Sequence, residues 1–349
     1  MAVTRNIRWF ADITLADRLT VGGKGGSLGE LARANIAVPA GFVITTDAFE
    51  QCLAQLEKEQ SIRAQAQALP PGDLEQIRRF SEFTRTRFET VPLPQRVCAD
   101  IVAAHAELCG TDPYRPAAVR SSATTEDSEE ASFAGLQDTH LWVKGADATL
   151  KSVRSCWASL YSVPSLSYRR KHEMPEDEVA IAVVVQKMVD ARSAGVMFTR
   201  SPLTGDRSVI TVEATWGLGS ALVSGEVTPD RFVIAKITGE ISVRDISDKS
   251  IQHVPAENGG TVEVETPVAL RRTPSINDQE VKALAEIGRK VERHYERPQD
   301  IEWAIDREGE IFLLQSRPET VWSSKQEPPV AKPEENPLQH VMNIFGGRR

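Results

Sequence analysis

Apolar positions follow two different periods along the chain, and this predicts a mixture of strands and helices. Residues 179–185 form a continuous apolar, β-branched run, typical of a strand buried on both faces. Shorter runs of this kind predict strands at 117–120, 194–198 and 208–212. Residues 149–161 and 277–295 instead repeat apolar side chains at helical spacing. The patterning therefore predicts an α/β (α+β) fold.

Glycine and proline residues mark the connections between these elements. A glycine-rich loop at 21–27 is predicted to lead into a helix from about residue 28 to 34, and residues 60–110 are predicted to be mainly helical with proline breaks. A hairpin is expected over 231–244, and a closing hairpin over 301–315. Residues 248–274 have weak periodicity and are predicted to form an exposed connection.

Composition and charge narrow the class of protein. The chain has 349 residues and a net charge of −8, which argues against a basic nucleic-acid-binding face. No apolar run approaches the ~20 residues that span a bilayer, and the N-terminus lacks the apolar core of a signal peptide. The four cysteines include no C-x-x-C pair, and the six histidines are scattered, so surface or packing roles are expected for them. We expect a cytoplasmic enzyme or enzyme subunit without a nucleic-acid or membrane partner.

The glycine run at 22–26 contains Lys24 and precedes a helix. Backbone N–H groups and a helix N-terminus at such a place can face an anion. The run is not a Walker A motif, because Gly25 follows Lys24 where that motif requires Ser or Thr. A flexible turn with a solvent-exposed lysine explains the same residues equally well.

Arg120 stands at the end of a predicted strand and precedes a loop rich in hydroxyl and acidic residues. The planar guanidinium matches phosphate oxygens in a bidentate manner. The loop ends in Ser132-Phe-Ala-Gly135, where a glycine allows the backbone to approach a ligand closely. For an arginine taken alone, a structural salt bridge is the simpler interpretation.

The two arms of the closing hairpin carry four polar residues at alternating positions. Asp300 and Glu302 share one face of the first arm, and Gln315 and Arg317 share one face of the second. Carboxylate and amide oxygens suit Mg²⁺, and a guanidinium neutralises phosphate. The set is therefore a candidate site for a magnesium-bound triphosphate, although alternating polar residues also occur on solvated sheet faces.

Six segments together resemble the nucleotide-binding domain of the phosphoenolpyruvate synthase, pyruvate phosphate dikinase and rifampicin phosphotransferase family. They occur in family order over roughly residues 9–322 and read VGGKGGSLGEL, VPAGFVIT, AVRSSATTEDSEEASFAG, SAGVMFTRSPLTG, TWGLGSALVSGEVTPDRF and DIEWAIDREGEIFLLQSRPETV. The resemblance implies an ATP-grasp fold, in which two lobes clamp Mg-ATP.

The resemblance also implies a division of the chain. Residues 1–200 would form the N-terminal lobe, including a helical insertion at 50–110 and a lid loop at 121–135. Residues 201–322 would form the C-terminal lobe and complete the ATP site. Residues 323–349 are a polar tail, for which docking on a partner and plain terminal disorder are equally open.

Site roles carry over from the family by position. Lys24 and Arg120 would hold the phosphates, and Gly135 and Thr139 would belong to the lid. The resemblance places Gln186 and Met188 at the adenine, Glu302 and Gln315 on Mg²⁺ with Asp300 in support, and Arg317 on the transferring group. It also implies that Glu213 and the loop 216–219 line the cleft. Lys24, Arg120 and Arg317 would be the catalytic residues.

The family's acceptor histidine, in a Gly-x-Thr-x-His setting, does not occur in this sequence. The expected partner is therefore a separate subunit that carries the phosphohistidine domain and the acceptor site. The chain looks like the ATP-binding subunit of phenylphosphate synthase, an enzyme that converts phenol, ATP and water to phenylphosphate, AMP and phosphate.

Other functions remain open from the sequence. The chain could belong to a split or truncated phosphoenolpyruvate synthase or rifampicin phosphotransferase, because the acceptor would be bound elsewhere. It could also be a non-catalytic ATP sensor, although the complete set of candidate site residues argues against a degenerate site. A stand-alone ATP-grasp ligase would need an acyl-phosphate acceptor site, for which the sequence offers no candidate.

Overall fold

A computed structural model describes residues 6–58, 60–124, 138–320 and 322. Its strands are β1 (Ile7–Trp9), β2 (Gly41–Ile44), β3 (Ala117–Ala123), β4 (Thr139–Val143), β5 (Ile181–Lys187), β6 (Ala191–Phe198), β7 (Val209–Trp216), β8 (Asp230–Ala235), β9 (Ile241–Asp245), β10 (Ile251–Pro255), β11 (Thr261–Glu265), β12 (Gln299–Asp306) and β13 (Ile311–Pro318). Its helices are α1 (Arg18–Arg33), α2 (Thr46–Leu56), α3 (Ile62–Ala68), α4 (Leu74–Thr90), α5 (Gln95–Cys109), α6 (Ala146–Ser159), α7 (Val163–Lys171), α8 (Ser220–Val223), α9 (Val268–Arg271) and α10 (Asp278–Tyr295).

The first lobe is built on an antiparallel sheet with the strand order β1-β2-β5-β3-β4. Its central strand β5 is buried along most of its length, as the continuous apolar run predicted. Helices α2–α7 cover one face of this sheet, and their core includes Phe49, Phe88 and Trp157. Helix α1 covers the other face, where it packs on Val43 and Val184.

The second lobe is built on an antiparallel sheet with the order β13-β12-β6-β7-β8-β9. The amphipathic helix α10 packs on one face through Val281 and Leu284, as its periodicity predicted. Asn277 caps this helix, because its side chain accepts from the backbone of Gln279 and Glu280 and the Glu280 carboxylate accepts from Asn277 N. The α/β class predicted from the sequence is confirmed by this arrangement.

The chain passes from one sheet to the other between β5 and β6, at residues 188–190. This is earlier than the boundary at 200 expected from the sequence. The reason is that β6 pairs with β7 and β12 of the second sheet, so residues 191–198 belong to the second lobe. The sequence of β6 alone does not indicate which sheet this strand joins.

The glycine run lies inside helix α1 rather than in a loop before it. Gly22 interrupts the helix with φ 71° and ψ 177°, and helical geometry resumes at once, so Lys24 lies in the first turn of the second segment. A Cβ atom at Gly22 would overlap the carbonyl oxygen of Ser122. The glycine is thus required both by its backbone conformation and by the close approach of α1 to β3.

Residues 248–274 are regular, whereas the sequence predicted an exposed connection. They contain the antiparallel hairpin β10–β11 and the short helix α9. A buried ion pair anchors the start of this segment, with Lys249 Nζ 2.5 Å from Asp230 Oδ1. The hairpin escaped prediction because its strands carry mixed side chains and are short.

The helices of the described residues, 6–58, 60–124 and 138–320, are too short or too polar to span a membrane.

Candidate functional site

Polar residues form a row across one face of the second sheet. Glu302 on β12 lies opposite Gln315 on β13 and opposite Val196 on β6, and Val196 in turn lies opposite Glu213 on β7. Residues directly opposite in an antiparallel sheet project from the same face. The row therefore runs from β13 to β7 on one face, with the apolar Val196 between Glu302 and Glu213.

The alternation in β12 decides which face of the second sheet is polar. Ile301 and Trp303 are buried in the core against α10, so Glu302 and Asp300 project from the other face. Sequence alternation predicted this pairing of carboxylates.

Arg120 reaches this row from the first lobe. It lies on β3, and only 8% of it is exposed. Its Nη2 donates to Glu302 Oε2 at 2.7 Å and to Gln315 Oε1 at 2.6 Å, and its Nη1 donates to the Leu314 carbonyl at 2.9 Å. One guanidinium thus joins the two lobes through three hydrogen bonds.

A β-bulge supplies the third of these acceptors. The pairing of β12 with β13 shifts between Glu302 and Trp303, which leaves Leu314 as the additional residue on β13. A bulged residue is freed from the regular ladder. Its carbonyl is therefore available to Arg120, a contact that alternation in the sequence does not reveal.

Arg317 and Asp300 form the neighbouring rung of the same sheet. They are paired across β12 and β13, and Arg317 Nε lies 3.6 Å from Asp300 Oδ2. The Arg317 side chain remains 43% exposed. It therefore keeps donors at the solvent side of the polar row, while Arg120 occupies the buried side.

The oxygen atoms of Glu302 and Gln315 fit a magnesium ion chemically. Both approach the same nitrogen of Arg120 within hydrogen-bond distance, so one carboxylate and one amide oxygen converge on a common point. Oxygen donors of this kind are the ligands that Mg²⁺ prefers. Glu302 and Gln315 as magnesium ligands stay a prediction from the sequence.

Lys24 lies on the same side of the first sheet as Arg120, because α1 packs onto β3 on that side. Ser122 Oγ donates to the Val21 carbonyl at 2.9 Å and accepts from Gly25 N at 3.2 Å. Burial raises the pKa of the Cys156 thiol behind β3, and the Lys24 ammonium acts on that pKa in the opposite direction. One N–H of the glycine run is thus bonded to Ser122 rather than directed at an anion.

The lid residues are only partly described. Thr139 begins β4 directly opposite Arg120 and is exposed. Gly135 and most of the predicted lid loop 121–135 lie outside the described residues.

Gln186 and Met188 lie at the passage between the lobes. Gln186 pairs with Ala118 and shares the face of Arg120, two positions along the strand, and its Nε2 donates to the Pro39 carbonyl at 3.3 Å. Met188 packs with an apolar cluster that includes Ala304. Ala304 lies two residues from Glu302, so Met188 contacts the polar-row face of the second sheet.

Glu213 is the carboxylate of the row on β7. It lies between Val196 and Arg231. Burial raises the pKa of Glu213, and the charge of Arg231 opposes this increase. A Cβ at Gly195 would overlap the Glu213 carbonyl, so the backbone around this carboxylate is tightly packed.

The loop 216–219 is held by the hairpin β10–β11 and by helix α9, neither of which the sequence predicted. Trp216 Nε1 donates to the Leu270 carbonyl at 3.0 Å, and Leu218 N donates to the His253 carbonyl at 2.9 Å. The contacts of Ser122 with α1 and of the Leu314 carbonyl with Arg120 were not predicted from the sequence either. The pair of serines after Arg120 was the only signal for Ser122, and the Leu314 carbonyl had none.

The fold and this row define a two-lobed α/β protein with an arginine- and carboxylate-lined site between its sheets. Residues 18–337 match the family described as "Pyruvate phosphate dikinase, AMP/ATP-binding domain". The chain belongs to this family, which confirms the predicted resemblance and, with it, the two-lobed ATP-grasp class.

Similar curated proteins are named phosphoenolpyruvate synthase. The phosphoenolpyruvate synthase of Aeropyrum pernix is 42% identical over 95% of this chain and 44% of its own length. The probable phosphoenolpyruvate synthase of Methanothermobacter thermautotrophicus is 40% identical over 91% of this chain and 46% of its own. The chain thus spans less than half the length of these relatives.

A solved biotin carboxylase complex from Campylobacter jejuni is similar at a TM-score of 0.32 with 10% identity. It covers 88% of this chain, which covers 43% of that one. A likeness of this size carries no functional argument.

Proposed function

We propose that this chain is the ATP-binding component of a dikinase-type phosphotransferase. The observation that carries the proposal is the position of Arg120, which joins β3 of one lobe to Glu302 and Gln315 of the other. A triphosphate bound between the lobes would meet this guanidinium and the oxygen ligands of a magnesium ion at one place.

The cationic residues position and stabilise the phosphates. Arg120 offers a planar fork at the buried end of the site, and Lys24 adds a charge from the first turn of a helical segment. Arg317, at the more exposed rung, stabilises negative charge on the group that is transferred. Phosphoryl transfer depends mainly on such positioning and electrostatic stabilisation.

Glu302 and Gln315 would hold the magnesium ion. Asp300 supports them by fixing Arg317 on the adjacent rung. The ion, when bound, neutralises phosphate oxygens and so assists their transfer. Arg120 would then exchange part of its contact with these two residues for contact with phosphate.

The remaining residues complete the nucleotide site. Gln186 and Met188 frame the adenine at the passage between the lobes, Glu213 lines the polar row, and Thr139 and Gly135 belong to the closing lid. The support for these assignments is their place on the two facing sheet surfaces, and for Gly135 the family resemblance alone.

The acceptor histidine is proposed to lie on a separate subunit. None of the six histidines stands in a Gly-x-Thr-x-His setting, so this sequence does not supply it. The histidine receives the β-phosphoryl or pyrophosphoryl group of ATP and passes phosphate to the final acceptor. We propose phenol as that acceptor, with phenol, ATP and water giving phenylphosphate, AMP and phosphate.

Pyruvate is the second candidate acceptor. The observation that favours it is the name of the similar curated proteins, which are phosphoenolpyruvate synthases. The same residues of this chain serve either acceptor, because the acceptor binds to the phosphohistidine component.

The test follows labelled phosphate from ATP to protein. The purified chain is incubated with β-labelled ATP and magnesium, alone and with an extract of its source cells. We expect AMP and acid-labile label on a second polypeptide only when both are present. Addition of phenol or pyruvate then identifies the acceptor by which one removes the label.

Two arginine variants make this test specific. Arg317→Gln should reduce labelling by about 100-fold or more, because charge stabilisation at the transferring group is lost. Arg307→Gln is the matched control, since Arg307 also pairs with an aspartate, Asp190, but lies on the turn between β12 and β13. Equal labelling by both variants would contradict the role of Arg317. ATP binding without any AMP or label would instead support a nucleotide sensor.

A further inference from the structure

A second cluster of metal-ligating side chains lies on the outer side of the loop 216–219. Glu226, His253 and Glu263 each offer one ligand atom, and these atoms all lie within 4.8 Å of one another. The three residues come from two segments, the loop after α8 and the hairpin β10–β11. None of them belongs to the polar row around Arg120.

The backbone fixes the positions of two of these ligands. His253 and Glu263 are directly opposite in the β10–β11 ladder, so their side chains project from the same face. Glu226 approaches from the other segment, with its Oε2 2.9 Å from His253 Nε2. Two ligand atoms that bind one tetrahedral ion at about 2.0–2.2 Å lie about 3.3–3.6 Å apart, so this pair would separate by a few tenths of an ångström to admit the ion.

The second ring nitrogen of His253 is held as in protein metal sites. His253 Nδ1 lies 2.8 Å from Ser220 Oγ, at the start of α8. Histidine ligands commonly bond their other nitrogen to a neighbouring group, which fixes the ring orientation. The ring is thereby turned so that Nε2 faces the carboxylates.

The donor set selects a class of ion. Two carboxylates at this separation repel each other, so a cation between them is favoured. An imidazole nitrogen with two carboxylate oxygens suits a borderline divalent ion such as Zn²⁺, whereas Mg²⁺ and Ca²⁺ prefer oxygen donors throughout. Glu226 and Glu263 are exposed, so an ion can enter from solvent.

We propose that Glu226, His253 and Glu263 bind a divalent transition-metal ion of the Zn²⁺ type. The ion joins the hairpin β10–β11 to the segment after α8. Because the His253 carbonyl accepts from Leu218 N, the ion also steadies the loop 216–219. The site is independent of the proposed phosphotransfer chemistry.

Metal titration of the untagged full chain tests the proposal. After chelator treatment, Zn²⁺ is titrated by calorimetry without nucleotide or Mg²⁺, and Co²⁺ is followed by visible absorption. We expect one tight equivalent in the wild type and at least about 10-fold weaker binding in Ser220→Ala, because the hydroxyl that orients the His253 ring is lost. Glu263→Gln, an exposed change, should weaken binding further and alter the Co²⁺ spectrum.

Two control variants separate this site from other groups. His294→Gln removes a histidine that contacts a single carboxylate, Glu30, at the same kind of distance of 2.8 Å. Glu302→Gln removes a ligand of the proposed magnesium site. Both should bind Zn²⁺ as the wild type does. Binding that is unchanged in Glu263→Gln, or lost in either control, would overturn the proposal.

Discussion

The charged guanidinium of Arg120 is almost fully buried, and three hydrogen-bond acceptors surround it. A buried charge is tolerated only when it is paired and hydrogen-bonded. Removing Glu302 or Gln315 would leave the buried guanidinium of Arg120 with fewer acceptors, so these three residues act as a unit. Their effects on activity should therefore be strongly non-additive.

The residue types of this unit were predictable, but its geometry was not. Alternation placed Glu302 and Gln315 on facing arms of a hairpin, and Arg120 at a strand end. Its contact with Glu302 joins residues 182 positions apart. Only the packing of the two lobes brings them together, and the bulge at Leu314 has no local signal.

Glu213 gives a pH-dependent prediction. Burial raises its pKa above the ordinary value of 4.5, so the folded protein holds this proton more tightly than the unfolded chain does. Stability from this group is present below pH 4.5 and is lost as the pH rises through the raised pKa. Glu213→Gln should therefore be more stable than the wild type at pH 7, with the difference disappearing near pH 4.

Urea unfolding at both pH values measures this difference. Glu240→Gln is the control, because Glu240 is exposed on the turn before β9. It should change the free energy of unfolding by less than about 0.5 kcal/mol at either pH. The free energy of unfolding of Glu213→Gln is compared with that of the wild type at each pH. A smaller gain in stability at pH 7 than at pH 4 would refute the argument.

At the scale of elements, helix α1 shows how packing overrides propensity. Glycine disfavours helices by about 1 kcal/mol per residue, so the sequence predicted a loop across 21–27. The run is nevertheless helical beyond Gly22, because small residues let α1 approach the first sheet closely. Gly25 would place a Cβ 3.0 Å from the Val43 side chain. Helix propensity depends on the local sequence alone, so it does not include packing against a residue that is distant in sequence.

Gly22→Ala should be strongly destabilising. The backbone at Gly22 has φ 71°, a conformation that costs a non-glycine residue about 1–3 kcal/mol, and the new methyl group would also overlap Ser122. Gly72→Ala is the matched control, since Gly72 has φ 84° but nothing within 4 Å of the added Cβ. Chemical denaturation measures both free energies of unfolding.

The comparison of these two variants isolates the overlap. We expect Gly22→Ala to lose more stability than Gly72→Ala, and the excess reports the contact with Ser122. Equal losses of stability in the two variants would mean that the positive φ alone explains why glycine is required at position 22.

At the scale of the whole molecule, α1 belongs to both lobes. Its Leu31 and the following Ile36 are buried in the core of the second lobe, together with Ile301 and Leu313. Ser27 Oγ also donates to the Ser316 carbonyl at 2.5 Å. Sequence motifs indicated the family and its two lobes, but division of the chain by position could not reveal a helix shared between them.

This shared helix predicts cooperative unfolding. Because neither lobe can open without exposing apolar residues of α1, both should unfold in a single calorimetric transition. The calorimetric and van't Hoff enthalpies should then agree. Two resolved transitions in differential scanning calorimetry would show that the lobes are energetically separate.

The position of Leu31 and Ile36 also limits how this chain can be divided. A fragment that starts at residue 190 would contain the whole second sheet, yet it would lack the apolar residues that cover one side of β12 and β13. Exposed patches of this kind favour aggregation. The second lobe is therefore not a transplantable module, and a hybrid enzyme that exchanges it must exchange residues 27–38 with it.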